Sequence, residues 1–321
     1  MSSVNNSSQH NQAYIGRFAP SPTGPLHFGS LVSAIASYLD AHHHNGKWLV
    51  RMEDLDPPRE QTGAANEILR CLQDYGLEWD GDVVYQSQRW DIYEDYLYRL
   101  RQQNLIYPCD CTRQDLQTMG GIYNGRCRTR TVDTRKPHAQ RLKLYDLPEQ
   151  FSFPDELRFN DLIQGEQQQN LRTQAGDQIL KRKDNLYAYQ LAVVVDDIEQ
   201  GITHIIRGSD LLEVSARQIL LFELLDAPVP HYGHVTLASQ ANGQKLSKQN
   251  LAPALDSKNA SANIWQALAF LQQNPPPELY GATPAELLAW AKIHWQRSAI
   301  KGLSAIYSPA NIRPEIITNN S

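Results

Sequence analysis

The hydrophobic pattern of the first fifty residues alternates between short apolar runs and one longer segment with helical spacing. Residues 14–18 (YIGRF) and 47–52 (KWLVRM) each predict a buried strand. Between them, from Gly29 to about residue 44, apolar side chains recur at helical spacing, and residues 19–25 (APSPTGP) must form a turn. A strand, turn, helix and strand within about 40 residues form a βαβ unit, which predicts a parallel sheet.

The pattern changes twice further along the chain. Two more helices are predicted, over residues 60–75 and 89–103, and residues 105–185 then lose regular α/β character and indicate an inserted subdomain with short strands, one of them at 141–145. Regular character returns with two predicted strands, in the apolar, β-branched run 191–196 and at 202–207. Helices are predicted over 215–225, around 262–272 and over 284–298.

Composition narrows the class of protein without identifying it. The chain has 321 residues, of which 41% are hydrophobic and 20% charged, as in ordinary globular proteins of about two domains. No apolar run approaches the roughly 20 residues of a membrane span, and the polar residues 1–12 do not resemble a secretory signal. We therefore expect a cytoplasmic protein that does not contact a membrane, with a disordered N-terminus.

The charge distribution leaves one surface open to a nucleic-acid partner. The net charge of −5 repels phosphate, so such a partner needs a local basic patch. Residues 126–143 provide one, with seven basic side chains against a single acid, Asp133. A solvated basic loop and an RNA-facing surface both remain open as interpretations.

Two segments carry residues suited to handling phosphate. His27 and Gly29 stand where the first strand turns into a helix, whose free N–H groups favour a phosphate. Lys245 and Lys248 flank Leu246-Ser247 in a glycine-containing loop, where two cations could neutralise a departing pyrophosphate. Taken singly, a turn-capping histidine and an ordinary surface loop explain these residues equally well.

Together and in this order, the two segments resemble the HIGH and KMSKS signatures of class I aminoacyl-tRNA synthetases, although other adenylyl-transferring nucleotidyltransferases share the first. Residues 17–24 (RFAPSPTG), 51–56 (RMEDLD) and the blocks between 189 and 208 resemble glutamyl-tRNA synthetases more specifically, and the likeness spans about residues 14–256. It implies ATP with Mg²⁺ as a substrate. It also implies catalytic roles for His27, Gly29, Lys245 and Lys248, and ATP contacts for His27, Gly29 and Lys248.

The same resemblance implies a site for L-glutamate. Its residues would be Arg17, Ala19, Ser21, Glu53, Tyr189 and Arg207. The chemistry agrees, because guanidinium groups suit the two carboxylates and an acidic side chain suits the ammonium. Glu53 follows the predicted strand 47–52 at its C-terminal end, where open α/β sheets bind ligands.

The chain departs from glutamyl-tRNA synthetases after Asp256, where only 65 residues remain for a helical anticodon-binding region. A catalytic core of this kind resembles the glutamyl-Q tRNA(Asp) synthetases. That family activates glutamate without tRNA and transfers it to queuosine at the wobble position of tRNA-Asp. Transfer to a tRNA 3′ end and a non-catalytic RNA-binding paralogue are the alternatives.

Three clustered cysteines predict a metal site. Cys109, Cys111 and Cys127 offer three thiolates, and zinc takes four ligands. Chemistry alone favours water or His138 as the fourth, whereas the family resemblance implies Tyr123. The expected cofactor is one Zn²⁺ per chain.

The predicted fold is α/β: a Rossmann-like parallel-sheet class I synthetase core with an inserted zinc-containing α+β subdomain and a short helical C-terminal domain. We divide the chain into a disordered N-terminus (1–13), a first catalytic half (14–104), the insert (105–188), a second catalytic half (189–255) and a truncated helical region that contacts the RNA stem (256–321). We expect a monomer.

Overall fold

The computed structural model describes residues 13–151, 153–239, 252–300, 302 and 304–306. Nearly all of the predicted disordered N-terminus lies outside this range, as do both loop lysines, Lys245 and Lys248. The division into five regions stays a prediction.

The N-terminal βαβ unit is confirmed. Its elements are β1 (Ile15–Phe18), α1 (Phe28–His43) and β2 (Lys47–Met52). The two strands pair in parallel with Ile15 opposite Lys47, and β3 (Val84–Tyr85) pairs in parallel with β2 on its other side. Helices α2 (Ala64–Asp74) and α3 (Trp90–Gln102) lie before and after β3 in the chain. Each helix ends within two residues of its predicted C-terminal end.

A second parallel pair lies beside β1. It consists of β9 (His204–Gly208) and β10 (His231–Val235), and the backbone N–H of Thr203 donates to the carbonyl of Ile15 at 2.9 Å. Helix α5 (Tyr189–Glu199) precedes this pair, and α6 (Leu212–Leu224) connects its strands. The sheet order therefore brings the C-terminal ends of β1, β2 and β9 to one edge.

One predicted strand is wrong. Residues 191–196 form the middle of α5, and each of them is buried. A helix that is enclosed on almost every side needs no polar stripe, so its sequence has no 3.6-residue period. A short apolar run of this kind does not distinguish a buried strand from a buried helix.

Between α3 and α5 the chain forms antiparallel structure. The elements, in chain order, are β4 (Ile106–Cys109), α4 (Arg113–Thr118), β5 (Ala139–Leu142), β6 (Glu156–Asp161), β7 (Gly165–Asn170) and β8 (Gln178–Lys181). Strands β4, β5 and β8 form one sheet, and β6 and β7 form a separate hairpin. Antiparallel pairing needs no long crossovers, which suits a compact insertion.

The last described elements complete the core around α1. Strand β11 (Leu237–Ser239) pairs in parallel with β12 (Ser304–Ile306), and α7 (Ala260–Phe270) and α8 (Pro284–His294) lie between them in the chain. Buried side chains of α7 and α8 join those of α1 and β2 in one hydrophobic cluster. Among the described residues, no helix combines the length and the apolar character that crossing a bilayer requires.

Candidate active site

A cavity of about 620 Å³ opens at the shared C-terminal edge of the parallel strands. Of the predicted glutamate and ATP residues, every one that the structure describes lines it: Arg17, Ala19, Ser21, His27, Gly29, Glu53, Tyr189 and Arg207. These residues are up to 190 positions apart in sequence. Parallel strand order brings them together, because strand ends that point the same way meet at one edge.

The turn from β1 into α1 presents a helix N-terminus to this cavity. His27 is the N-cap of α1, and its Nδ1 accepts a hydrogen bond from the Ser30 N–H at 3.4 Å. The Ser30 hydroxyl in turn accepts from the His27 N–H at 2.8 Å, which completes a capping box. With Nδ1 acting as acceptor, the ring hydrogen lies on Nε2, so His27 can donate to an anion. The N-terminal N–H groups of α1 favour the same kind of ligand.

Arg17 is held in the cavity wall by Asp197, a residue of α5. Arg17 Nε lies 3.1 Å from Oδ1 of that carboxylate, and Nη2 lies 3.4 Å from Oδ2. Both partners are almost completely buried. Such a two-point contact fixes the plane of the guanidinium as well as its position.

Glu53 follows β2 and faces the cavity beside Arg17. Its backbone N–H donates to the Pro20 carbonyl at 2.9 Å, which fastens the end of β2 to the turn after β1. Burial raises the pKa of Glu53 to about 7, although the charges of Arg51 and Arg17 act in the opposite direction. Arg51 Nη2 lies 3.7 Å from Glu53 Oε1. The carboxylate therefore sits where a ligand ammonium would favour its ionised form.

Arg207 approaches the cavity from β9. Nε donates to His234 Nε2 at 3.0 Å, and Nη2 donates to the Ser215 hydroxyl at 2.9 Å and to the Leu211 carbonyl at 3.2 Å. Its Nη1 is buried and has no hydrogen-bond partner among the described residues. A buried guanidinium N–H without an acceptor is costly, so this atom is suited to an anionic ligand. Tyr189, at the first position of α5, completes this wall, and burial raises the pKa of its phenol.

Several residues around this site were not identified from the sequence. The sequence patterns predict no role for Arg51, Asp196 or Asp197, although all three lie within the blocks that resemble glutamyl-tRNA synthetases. Arg51 is fully buried and donates to Asp197 at 2.8 Å, while Asp196 accepts from Arg89 at 2.6 Å and Tyr93 at 2.9 Å. The adjacent acids in an otherwise apolar run were the available signal, because buried carboxylates require partners.

The three clustered cysteines do meet in space. The sulfurs of Cys109, Cys111 and Cys127 lie within 4.8 Å of one another. Sulfurs around a tetrahedral zinc with Zn–S bonds of about 2.3 Å would stand roughly 3.8 Å apart, so the spacing fits that ion. Arg141 Nε lies 3.2 Å from Cys109 Sγ and Arg130 Nη2 lies 3.3 Å from Cys127 Sγ. Burial opposes ionisation of Cys127, but its hydrogen bonds, including the one from Arg130, lower the pKa of this thiol to about 7 and so favour the thiolate, which is the form that binds metal.

The position of Tyr123 bears on the fourth ligand. Its hydroxyl lies 3.6 Å from Cys109 Sγ and accepts from the Cys127 N–H at 2.8 Å. His138 does not belong to the group of mutually close ligand atoms in the described part of the chain, and its Nδ1 contacts the Lys136 carbonyl at 2.9 Å. This arrangement suits Tyr123 better than His138, and the ligand set stays a prediction.

The basic segment is largely engaged in ion pairs. Arg126 pairs with Asp115 at 3.2 Å and Arg130 pairs with Asp110. Arg128 binds Asp177 through two nitrogens, at 2.6 and 2.5 Å, with its guanidinium 3.9 Å from the centre of the Tyr145 ring. These contacts lower the positive field that the sequence suggests and give Arg128 a structural role.

The chain on both sides of residues 240–251 lies near the cavity. Leu237 lines the cavity, Ala254 forms a bridge with His27, and the Leu255 N–H donates to the Leu26 carbonyl at 2.9 Å. The predicted roles of Lys245 and Lys248 concern residues outside the described range.

Comparison with known proteins assigns the family. Residues 15–271 match the model for the catalytic domain of class I tRNA synthetases for glutamate and glutamine (E and Q). A Neisseria meningitidis serogroup A protein named glutamyl-Q tRNA(Asp) synthetase is 50% identical over 296 residues, which cover 89% of this chain and 97% of the relative. A protein of the same name from Thiobacillus denitrificans is 50% identical over 304 residues, covering 93% and 98% respectively.

Solved structures agree with this result. A crystal structure of glutamate-tRNA synthetase from Elizabethkingia anophelis has a TM-score of 0.76 and 25% sequence identity, and the match covers 92% of this chain and 68% of that one. The predicted fold class, an α/β class I synthetase core with a parallel sheet, is thereby confirmed. The chain belongs to the class I tRNA synthetases for glutamate and glutamine and, within them, to the glutamyl-Q tRNA(Asp) synthetase family.

Proposed function

We propose that this ligase activates L-glutamate with ATP, without needing tRNA, and transfers the glutamyl group to queuosine at the wobble position of tRNA-Asp. One observation carries the proposal: Arg17, Glu53 and Arg207 line the same cavity as the His27 turn. A dicarboxylic amino acid and a nucleoside triphosphate can therefore bind next to each other. The relatives' name, glutamyl-Q tRNA(Asp) synthetase, supports the choice of substrates.

In the first step, a carboxylate oxygen of glutamate attacks the α-phosphorus of ATP. A new C–O–P linkage forms, the bond to the bridging oxygen breaks, and pyrophosphate leaves with the electron pair. His27 Nε2 and the N-terminus of α1 would stabilise the phosphate charge, with Gly29 leaving room for the nucleotide. Lys245 and Lys248 are proposed to neutralise the leaving pyrophosphate, together with Mg²⁺ brought in by ATP.

Binding of glutamate uses charges of both signs. The guanidinium groups of Arg17 and Arg207 would hold the carboxylates, and the Glu53 carboxylate would hold the ammonium. Ala19, Ser21 and Tyr189 would form the surrounding wall. Positioning of this kind, rather than a protein nucleophile, accounts for the catalysis.

In the second step, a hydroxyl of queuosine attacks the activated carbonyl. The ester bond forms, the bond to the phosphate oxygen breaks, AMP leaves, and the hydroxyl proton passes to solvent. A Zn²⁺ held by Cys109, Cys111, Cys127 and Tyr123 would stabilise the insert. We expect the enzyme to act as a cytoplasmic monomer.

The activation step is tested by ATP–pyrophosphate exchange in the absence of tRNA. We expect exchange with glutamate and little or none with glutamine, because glutamine lacks the second carboxylate. Equal exchange with both amino acids, or none with glutamate, would contradict the proposal. Lys248→Ala separates catalysis from RNA binding: exchange should fall at least about tenfold, while binding to tRNA-Asp persists.

The acceptor is tested with tRNA-Asp that contains queuosine and ends in a 2′,3′-dideoxy nucleotide, which leaves no terminal hydroxyl to accept glutamate. Under the proposal this RNA still accepts labelled glutamate, and the same RNA without queuosine does not. The alternative, transfer to a tRNA 3′ end, predicts the reverse dependence: loss of labelling with the 2′,3′-dideoxy terminus and no effect of queuosine.

A further inference from the structure

A buried chain of hydrogen bonds connects the insert to Arg207. His234, on β10, lies with Nε2 3.0 Å from Arg207 Nε and Nδ1 2.5 Å from Asp161 Oδ2. Asp161 is the last residue of β6, so it belongs to the hairpin of the insert. All three side chains are at least 94% buried. None of the motifs in the sequence pointed to His234 or Asp161.

The chemistry of the donors fixes the state of His234. The guanidinium of Arg207 has no acceptor atom, so its Nε–H must donate and His234 Nε2 must accept. The imidazole is then neutral with its hydrogen on Nδ1, which donates to Asp161. Burial, the largest influence, lowers the pKa of His234, in keeping with a neutral ring.

Asp161 is fixed as firmly as the ring that it orients. Its Oδ1 accepts the backbone N–H groups of Ile163, Gln164 and His234 at 3.0, 2.8 and 3.0 Å. The Leu162 N–H also donates to the Tyr232 carbonyl at 2.7 Å, which joins the hairpin turn to β10. The carboxylate therefore has little freedom to follow a displaced histidine.

The result of this chain is the orientation of one nitrogen. Two nitrogens of Arg207 are committed, Nε to His234 and Nη2 to the Ser215 hydroxyl and the Leu211 carbonyl. Only Nη1 has no partner among the described residues, and Arg207 lines the cavity. We propose that His234 and Asp161 are positioning residues that hold Arg207 with Nη1 directed at the carboxylate of the amino-acid substrate. This inference rests on the proposed binding of glutamate by Arg207.

Two substitutions at one position separate positioning from packing. In His234→Asn the amide can still donate to Asp161, but the shorter side chain leaves Arg207 Nε without an acceptor. In His234→Gln the side-chain carbonyl can reach the place of Nε2 and accept that hydrogen bond. The matched control is His231→Asn, the same change at the exposed start of the same strand.

We expect His234→Asn to raise the KM for glutamate at least about tenfold in tRNA-independent exchange, the usual effect of losing a hydrogen bond to a charged group. The KM for ATP should stay within about twofold, since the His27 turn is unaffected. His234→Gln should recover most of the glutamate affinity, and His231→Asn should behave as the unmodified enzyme. Melting temperatures establish that each variant is folded.

Asp161→Asn is the second test. In one orientation of the amide, its NH₂ group faces the Nδ1–H of His234. In the other orientation, the NH₂ group faces the three backbone N–H groups, so a donor meets a donor in both cases. We expect a raised KM for glutamate here as well. Equal rises in both KM values, an unchanged glutamate KM in His234→Asn, or equal damage from Asn and Gln in folded protein would overturn the inference.

A readout independent of activity tests the inference separately from the proposed function. In full-length protein with ¹⁵N-labelled histidine, the signals lost in His234→Asn identify His234 among the ten histidines. A neutral ring with hydrogen on Nδ1 is expected; a protonated ring or hydrogen on Nε2 would overturn the inference. If the enzyme shows this ring state but no glutamate-dependent exchange, the proposed function is refuted. The carboxylate ligand proposed for Arg207 is then refuted with it.

Discussion

At the scale of single residues, the proposed glutamate pocket depends on an arginine that does not line it. Arg51 is fully buried and lies near three carboxylates, at 2.8 Å from Asp197, 3.7 Å from Glu53 and 3.8 Å from Asp196. Without a cation there, burying so many acids would be prohibitively unfavourable. Asp197 is then able to hold Arg17, and Glu53 is able to ionise when a cation arrives.

The raised pKa of Glu53 predicts how glutamate binding varies with pH. Below about pH 7 the carboxyl is protonated and attracts the ligand ammonium weakly, so the KM for glutamate should fall as pH rises from about 6 to about 8. The charged groups that face it are Arg51, Arg17, Asp197 and Asp196. Glu53→Gln should raise this KM and remove the pH dependence. Steady-state exchange kinetics test this, and a variant that keeps the slope would contradict it.

The pH dependence that Glu53 gives to the stability of the fold should have the opposite sign to the pH dependence that it gives to glutamate binding. Because the pKa of Glu53 is higher in the folded chain than in the unfolded one, the folded state binds this proton more tightly. The contribution of Glu53 to stability is therefore complete below about pH 4.5 and declines as pH rises to about 7. Bound glutamate should offset that decline.

At the scale of elements, the cysteine cluster joins the end of β4 to the chain before β5. Cys109 ends β4, Cys111 precedes α4, and Cys127 follows the turn at Gly125. The hydrophobic cluster around these cysteines is small, and its other buried members include Tyr107 and Val132. A bound metal would supply cohesion that so small a core lacks.

We therefore predict that Cys127→Ser lowers the zinc content from one ion per chain to nearly none and lowers the melting temperature. A strong chelator should have the same effect on the unmodified protein. Cys71→Ser is the control, since that cysteine lies in α2, apart from the cluster. Elemental analysis and thermal unfolding are the measurements. Equal zinc in both variants would show that the cluster is not the metal site.

At the scale of the whole molecule, Asp40 ties the C-terminal helical segment to the catalytic core. This fully buried residue of α1 accepts hydrogen bonds from the Tyr14 hydroxyl and from Trp295 Nε1, the latter at 2.8 Å. Arg297 Nε lies 3.0 Å from the same carboxylate. One side chain thus joins the residue before β1, α1 and the chain after α8.

Removing this carboxylate should destabilise the fold. Asp40→Ala leaves two buried donors without an acceptor, and we expect a loss of about 3 kcal/mol in the free energy of unfolding. Asp74→Ala, at the exposed end of α2, is the matched control and should change it by less than about 0.5 kcal/mol. Denaturant titration measures both. Similar values for the two variants would mean that Asp40 does not join the two parts.

The sequence by itself determined the local features. The strand-turn-helix-strand unit and the helix N-terminus at His27 follow from hydrophobic period and turn residues, whereas the residues proposed to bind a dicarboxylic amino acid follow from the family resemblance. The first two features depend on neighbours in the chain, so a linear pattern contains them. The strand predicted at 191–196 is wrong because complete burial removes the periodicity from which a helix is recognised.

Only the tertiary structure decided which residues meet. The pairing of β1 with β2 and the placement of β9 beside β1 bring Arg17, Glu53 and Arg207 to one cavity. The partners that orient the two arginines, Asp197 and His234, come from other elements, and no local pattern predicts these contacts. Contacts between distant segments depend on strand order and packing, and the periodicity of a single segment contains neither.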